Sequence, residues 1–179
     1  MQERVKFFFF FFAGLILGLS FILVLEYSNS SIFSSNSVQL VSSPENGQEL
    51  ISFIHSAKES VYVEVYILTS EEVISELIEA HNEGLEVKVI LEKRYTGSNS
   101  QEAFNELTSA GIDVRWASYD YKLTHAKMII IDEKKASIGS HNFSDSAIYS
   151  NREISVILEG DIITQLLKIF ETDWIKATY

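Results

Sequence analysis

The chain has no cysteine, which removes structural disulfides, thiolate zinc sites and cysteine nucleophiles together. It is also short of basic residues: 14 Lys and Arg stand against 25 Asp and Glu, a formal net charge of −11. Nucleic-acid binders ordinarily carry a basic footprint, so any such contact here must be made by a local cluster. Lys93 and Arg94 at a strand end, with Lys122 a little before the most polar strand ends, are the candidates for a substrate groove. Internal repeats are absent as well, so every motif exists in one copy.

Phe7 to Leu25 carries no charge and lies between Lys6 and Glu26. As a helix it would extend roughly 28 Å, close to the thickness of a bilayer's hydrocarbon core. A cleaved signal peptide is the alternative, but its apolar region is shorter and ends in small residues, whereas this run ends in Val24-Leu25-Glu26-Tyr27. The expectation is therefore a membrane anchor over residues 1–26 that crosses through 7–25. Arg4 and Lys6 before the span favour a cytoplasmic N-terminus and a domain outside the cytoplasm. Gly14 and Gly18 form a G-x-x-x-G that would let two anchors approach. Residues 27–37, Ser/Asn-rich and without periodicity, read as a tether.

From Val38 to Tyr179 strands alternate with helices. Val38–Val41 is a strand, and Pro44-Glu45-Asn46 opens a helix with Leu50, Ile51, Ile54 and Ala57 on one face. Val61, Val63, Val65 and Ile67 alternate with Tyr62, Glu64, Tyr66 and Leu68 as a strand. A helix with Val73, Ile74, Leu77 and Ile78 inward ends at Gly84, and another built on Ala103, Phe104 and Leu107 ends at Gly111. Strands follow at Val87–Leu91, Val114–Trp116 and Asn151–Leu158, before a closing helix with Ile162, Ile163, Leu166, Phe170 and Trp174 inward. This order predicts an α/β domain over 38–179, a mixed β-sheet flanked by helices and preceded by one N-terminal transmembrane helix.

The chemistry concentrates between Leu123 and Glu153. Met128 to Ile131 is an apolar run that reads as a strand covered on both faces. Side chains alternate along a strand, so His125 and Lys127 share one face and Asp132 leaves the other, as a structural or supporting group rather than a base. A second strand ends at Gly139, where Ser140 and Asn142 repeat the i, i+2 spacing and His141 points the opposite way. Imidazole, ammonium, hydroxyl and amide converging on one point suit a phosphoryl group, offering donors to its oxygens and a nitrogen able to attack phosphorus. Glu153 supplies a carboxylate to orient the imidazole. His55 and His81 fall on the polar sides of helices and are read as surface residues.

His125-x-Lys127-x4-Asp132, then Gly139-Ser140-x-Asn142 and Asn151-x-Glu153, resembles the HKD signature of the phospholipase D superfamily. The small, single-motif chain looks most like the nuclease branch of that superfamily. Mitochondrial members of the branch commonly carry a cysteine- and histidine-rich zinc element near their anchor. This chain has none, which shifts the resemblance to the bacterial and archaeal type.

The expected reaction is metal-independent and cofactor-free phosphodiester hydrolysis in two steps. His125 attacks phosphorus, Lys127, Ser140 and Asn142 hold the phosphoryl oxygens, and Glu153 fixes a histidine tautomer. Two histidines are required where one motif exists, and the resemblance implies a homodimer with a composite site. The expected substrate is nucleic acid, single strands preferred. A phospholipase D or cardiolipin hydrolase activity is the alternative, and a non-catalytic membrane-tethered binding module the third reading.

Overall fold

A computed structural model of the chain describes residues 37–94 and 99–179, without the side chain of Asn99. The expected membrane helix over 7–25, Gly14 and Gly18 within it, and all of the tether except Ser37 lie outside the described residues. Among the described residues no helix is long and apolar enough to cross a membrane.

Seven strands are described: β1 Val38–Ser43, β2 Ser60–Val65, β3 Glu86–Leu91, β4 Asp113–Trp116, β5 Lys127–Ile131, β6 Lys135–Gly139 and β7 Glu153–Glu159. They form one sheet in the order β1-β7-β6-β5-β2-β3-β4. The helices α1 Glu49–His55, α2 Glu71–Asn82, α3 Asn99–Ser109, α4 Asp145–Tyr149 and α5 Ile162–Lys176 complete the chain. Crossovers through α2 and α3 make β2, β3 and β4 parallel, while β2, β5, β6, β7 and β1 pair antiparallel. The mixed sheet between helices is the architecture the alternating pattern predicts. Gly84 and Gly111 follow α2 and α3 with φ of 92° and 94°, left-handed positions where a side chain would be strained.

Two local expectations need correction. The helix expected from Pro44 begins only at Glu49. Asn46 folds back instead, its Oδ1 accepting from the Ser42 amide at 2.8 Å, and Gly47 lies so close to the Ile148 carbonyl that a Cβ would collide with it. The strand expected to run to Leu68 ends at Val65, and every residue from Ser60 to Val65 is buried, because β2 sits in the sheet interior between β5 and β3. Val61, Val63 and Val65 join Ile129 and Ile131 in the core facing α1, α2 and α3. Tyr62 joins Ile90, Met128 and Ile130 in the core under Ile163, Leu166 and Phe170 of α5. Burying each such aliphatic side chain contributes about 1.5–3 kcal/mol of transfer free energy, which holds the strand ends in register.

Glu64 shares the α5 face with Tyr62 and is only 2% exposed. Burial, and then the neighbouring Asp173 carboxylate, pushes its carboxyl up to about 8. The folded chain thus keeps a proton that the unfolded chain releases above the ordinary carboxylate value of 4.5. The associated stability is fully present below 4.5 and is lost as pH rises through 8. Glu64→Gln, which keeps the shape and a donor, is expected to raise Tm more at pH 8 than at pH 5. Equal shifts in thermal melts at the two pH values would contradict this.

Candidate active site

The motif residues other than Asp132 gather at one end of the sheet, where β2, β3 and β6 end and β5 and β7 begin. Here the parallel half, β2-β3-β4, gives way to the antiparallel half at the β2–β5 pair, and open α/β sheets place ligands outside strand ends at such a change of direction. Lys127 opens β5 opposite Val65 and is buried, whereas His125 precedes the strand and is exposed. Lys127 Nζ donates to the His125 carbonyl at 3.0 Å. Tyr66, just beyond β2, touches both residues: its ring lies 4.7 Å from the imidazole centroid, and Lys127 Nζ sits 5.2 Å above it. Burial pulls the Lys127 ammonium below its usual range, and Glu153 opposes that shift.

Ser140 follows β6 and bridges to β7. Its hydroxyl donates to Glu153 Oε2 at 2.5 Å and accepts from the Ile154 amide at 3.0 Å. The two strands come together this closely because Gly139 has no Cβ; one there would strike Ser155. Asn151 Nδ2 reaches Glu153 Oε1 at 3.4 Å. Lys127, Ser140, Asn151 and Glu153 therefore form one polar cluster, with His125 attached through Lys127 and Tyr66. Asn142 is half-buried, and its Oδ1 is buried without a hydrogen-bond partner among the described residues.

Asp132 lies at the far end of β5, about 17 Å from Lys127 at ~3.3 Å per residue. Its carboxylate accepts from the amides of Lys58, Glu59 and Ser60 at 2.9, 2.7 and 3.1 Å. Burial would raise its pKa, but these three N–H groups hold it below the ordinary carboxylate value. Asp132 thus fastens the α1–β2 loop to the β5–β6 turn and does not reach the site.

Of the expected groove residues, Arg94 is committed elsewhere. Its Nε and Nη2 both reach the fully buried Glu92 at 2.7 Å, and its Nη1 and Nη2 donate to the carbonyls of Tyr121 and Ser118 at 2.5 and 3.0 Å. Glu92 also accepts from the Thr124 amide at 2.8 Å. Burial alone would raise the Glu92 pKa, but Arg94 and the amides hold it below its usual range. This clamp fixes the segment that delivers His125. Glu92 and Tyr66 are the residues sequence reasoning missed; their signal was a lone acid closing the apolar run of β3 and an aromatic just past β2. Lys93 lies 5.2 Å over the Trp116 ring, and Lys122 is exposed three residues before His125.

A model of the family described as cardiolipin synthase, PLD-like domain, matches residues 50–174. The chain belongs to the phospholipase D superfamily. As a member it is a phosphodiesterase-type hydrolase. A protein named phospholipase D from Rickettsia conorii is 30% identical over 159 residues, covering 86% of this chain and 76% of that protein. Its counterpart from Rickettsia prowazekii is 31% identical over 140 residues, 75% of this chain and 66% of that protein. Among solved structures, Nuc from Salmonella typhimurium, a phospholipase D family member, aligns with a TM-score of 0.75 at 30% identity over 80% of this chain and 97% of its own.

Proposed function

We propose that this phospholipase D superfamily member is a metal-independent phosphodiesterase working through a phosphohistidine on His125, and that it cleaves nucleic acid with little sequence preference, favouring single strands. The observation that carries the chemistry is an exposed imidazole beside a buried ammonium, with Ser140 and Glu153 joined next to them. An imidazole nitrogen of His125 attacks phosphorus; the P–O bond to the leaving group breaks, and the departing oxygen takes a proton from a second histidine. That histidine then removes a proton from water, whose oxygen attacks phosphorus and breaks the P–N bond. Lys127 and the Asn142 amide stabilise the charge that builds on the phosphoryl oxygens, Ser140 joins them when its one hydroxyl proton turns from Glu153 to the substrate, and Glu153 then orients imidazole. The donor set does not suit a divalent cation: an ammonium stands at its centre, and Glu153 is already engaged by Ser140.

The second histidine is His125 of another copy, in a C2 homodimer. The sheet itself supports this. α5 covers β2, β5, β6 and the Leu158 end of β7, but the same face of β1 and of the start of β7 is open: Val38, Leu40 and Ile154 are 67%, 60% and 52% exposed, beside half-buried Ile138 and Val156. This apolar half-face begins next to Glu153, and α5 exposes Ile162 and Ile169. A twofold axis beside the motif would lay each α5 on the other copy's bare half.

Lys122 and Lys93 would flank a bound single strand, a small basic groove on an acidic chain; activity should fall only shallowly with salt. The reading includes a membrane anchor at 7–25 with the catalytic domain outside the cytoplasm. A phospholipid substrate is the second reading, favoured by the apolar run 7–25, the net charge of −11 and the names of the rickettsial relatives. The test compares single-stranded DNA, duplex DNA, RNA and vesicles of cardiolipin and phosphatidylcholine, using the purified full chain in excess EDTA. The expected result is nucleic-acid cleavage that chelation does not reduce, fastest on single strands. Lipid hydrolysis without nucleic-acid cleavage would reverse the substrate assignment, and activity lost in EDTA and restored by a divalent ion would overturn the mechanism.

A further inference from the structure

His141 lies between Ser140 and Asn142 in sequence, yet it is 1% exposed. Its Nε2 is 2.8 Å from Ser43 Oγ at the end of β1, and its Nδ1 is 2.7 Å from Ser155 Oγ in β7. The Ser43 hydroxyl gives its one proton to the Ile148 carbonyl at 2.8 Å, so towards His141 it can only accept. Nε2 must then carry the hydrogen, and Nδ1 accepts from Ser155. Both ring nitrogens, both hydroxyls and the carbonyl are satisfied together only with this neutral tautomer. Burial pushes the imidazole below its ordinary pKa, against the pull of Glu153, so the ring stays neutral at ordinary pH. Gly47 closes the network from behind, since a Cβ there would strike both Ser43 Oγ and the Ile148 carbonyl.

The ring is therefore a strut between β1, β7 and the end of β6, and it bears on the residues at either side. Successive side chains at a strand end point in opposite directions. Pinning residue 141 inward turns 140 and 142 the other way, and Ser140 is indeed exposed while Asn142 is half-buried. An apolar ring of similar size would fill the space without fixing the rotation of this segment.

We propose that His141 is a positioning residue of the phosphodiester site, held as the Nε2–H tautomer between Ser43 and Ser155 so that Ser140 and Asn142 face the phosphoryl oxygens. The proposal rests on the reading of this site as phosphoryl-binding. His141 touches neither substrate nor reacting atoms; it acts through its two neighbours. Because those donors act on charge that develops during reaction, their displacement should appear in kcat more than in KM. Removing one such donor outright costs about 100- to 1,000-fold; displacing it should cost less, about 30-fold.

The test compares wild type, His141→Phe, His141→Gln and His125→Ala as full-length proteins, with bis(p-nitrophenyl) phosphate as the probe and thermal melts alongside. His141→Phe is expected to lower kcat about 30-fold with KM within about twofold, measured where the variant is fully folded. His141→Gln, whose amide can still donate to Ser43, should recover to within about fivefold of wild type. With four histidines in the chain, 15N imidazole shifts can report the tautomer, expected to be protonated at Nε2 and bare at Nδ1. A fully folded His141→Phe protein with wild-type kcat overturns the proposal while His125→Ala remains inactive, as do equal losses in the Phe and Gln variants or the opposite tautomer. A wild type that hydrolyses no phosphodiester, or a His125→Ala protein as active as wild type, overturns the site reading and this proposal with it.

Discussion

His125→Ala is expected to lower phosphodiester turnover at least about a thousandfold, because losing the nucleophile removes the covalent route and leaves only positioning and electrostatic effects. The fold should survive. His125 is exposed and precedes β5, and the contact it offers Lys127 is its backbone carbonyl, which alanine retains. The ring's contact with Tyr66 is lost, but no core side chain depends on it. A thermal midpoint within a few degrees of wild type, read with the rate, separates chemistry from unfolding. Retention of more than about a thousandth of the activity would place the nucleophile elsewhere.

Mixing wild-type and His125→Ala subunits should give heterodimers with almost no activity. Each turnover needs one imidazole to attack and another to move the proton of the leaving oxygen, and a chain with one motif supplies one of them. A heterodimer holds a single His125, so its composite site lacks one of the two roles whichever subunit carries it. Heterodimers isolated with two affinity tags, after exchange has been stopped, make the comparison clean. Half of the wild-type activity would show that each subunit works alone and would leave the exposed Val38, Leu40 and Ile154 without a role in catalysis.

The motif strands were legible because burial on both faces leaves a simple signal. Met128 to Ile131 has no polar interruption, and its two ends carry the residues that belong to opposite ends of the sheet. The spacing of Ser140 and Asn142 and the inward direction of His141 followed from strand alternation, and the mixed α/β sheet followed from helices set between strands. Other features depended on contacts distant in sequence. Arg94 looked like a groove cation because nothing local shows that Glu92 is fully buried and that Tyr121 and Ser118 present their carbonyls to the guanidinium. The start of α1 was misread because proline is a common first helical residue, whereas the close approach of Gly47 to the α4 segment holds Pro44 to Gln48 in turns. The alternating pattern was read as a strand to Leu68, while β2 ends at Val65, and its place between β5 and β3 buries both faces. The five-residue α4, too short for a periodic pattern, had no signal to find.

The most direct measurement is to trap the intermediate. The full-length protein, in excess EDTA, is mixed with a phosphorus-labelled single-stranded oligonucleotide, quenched in alkali during the first turnover and digested for mass spectrometry. The account predicts an acid-labile phosphoryl adduct on the peptide that carries His125, at one per dimer because the second His125 serves as the acid, and none in His125→Ala. A full burst of the leaving group with no adduct on His125, or an adduct on another residue that forms at the rate of turnover, would contradict it.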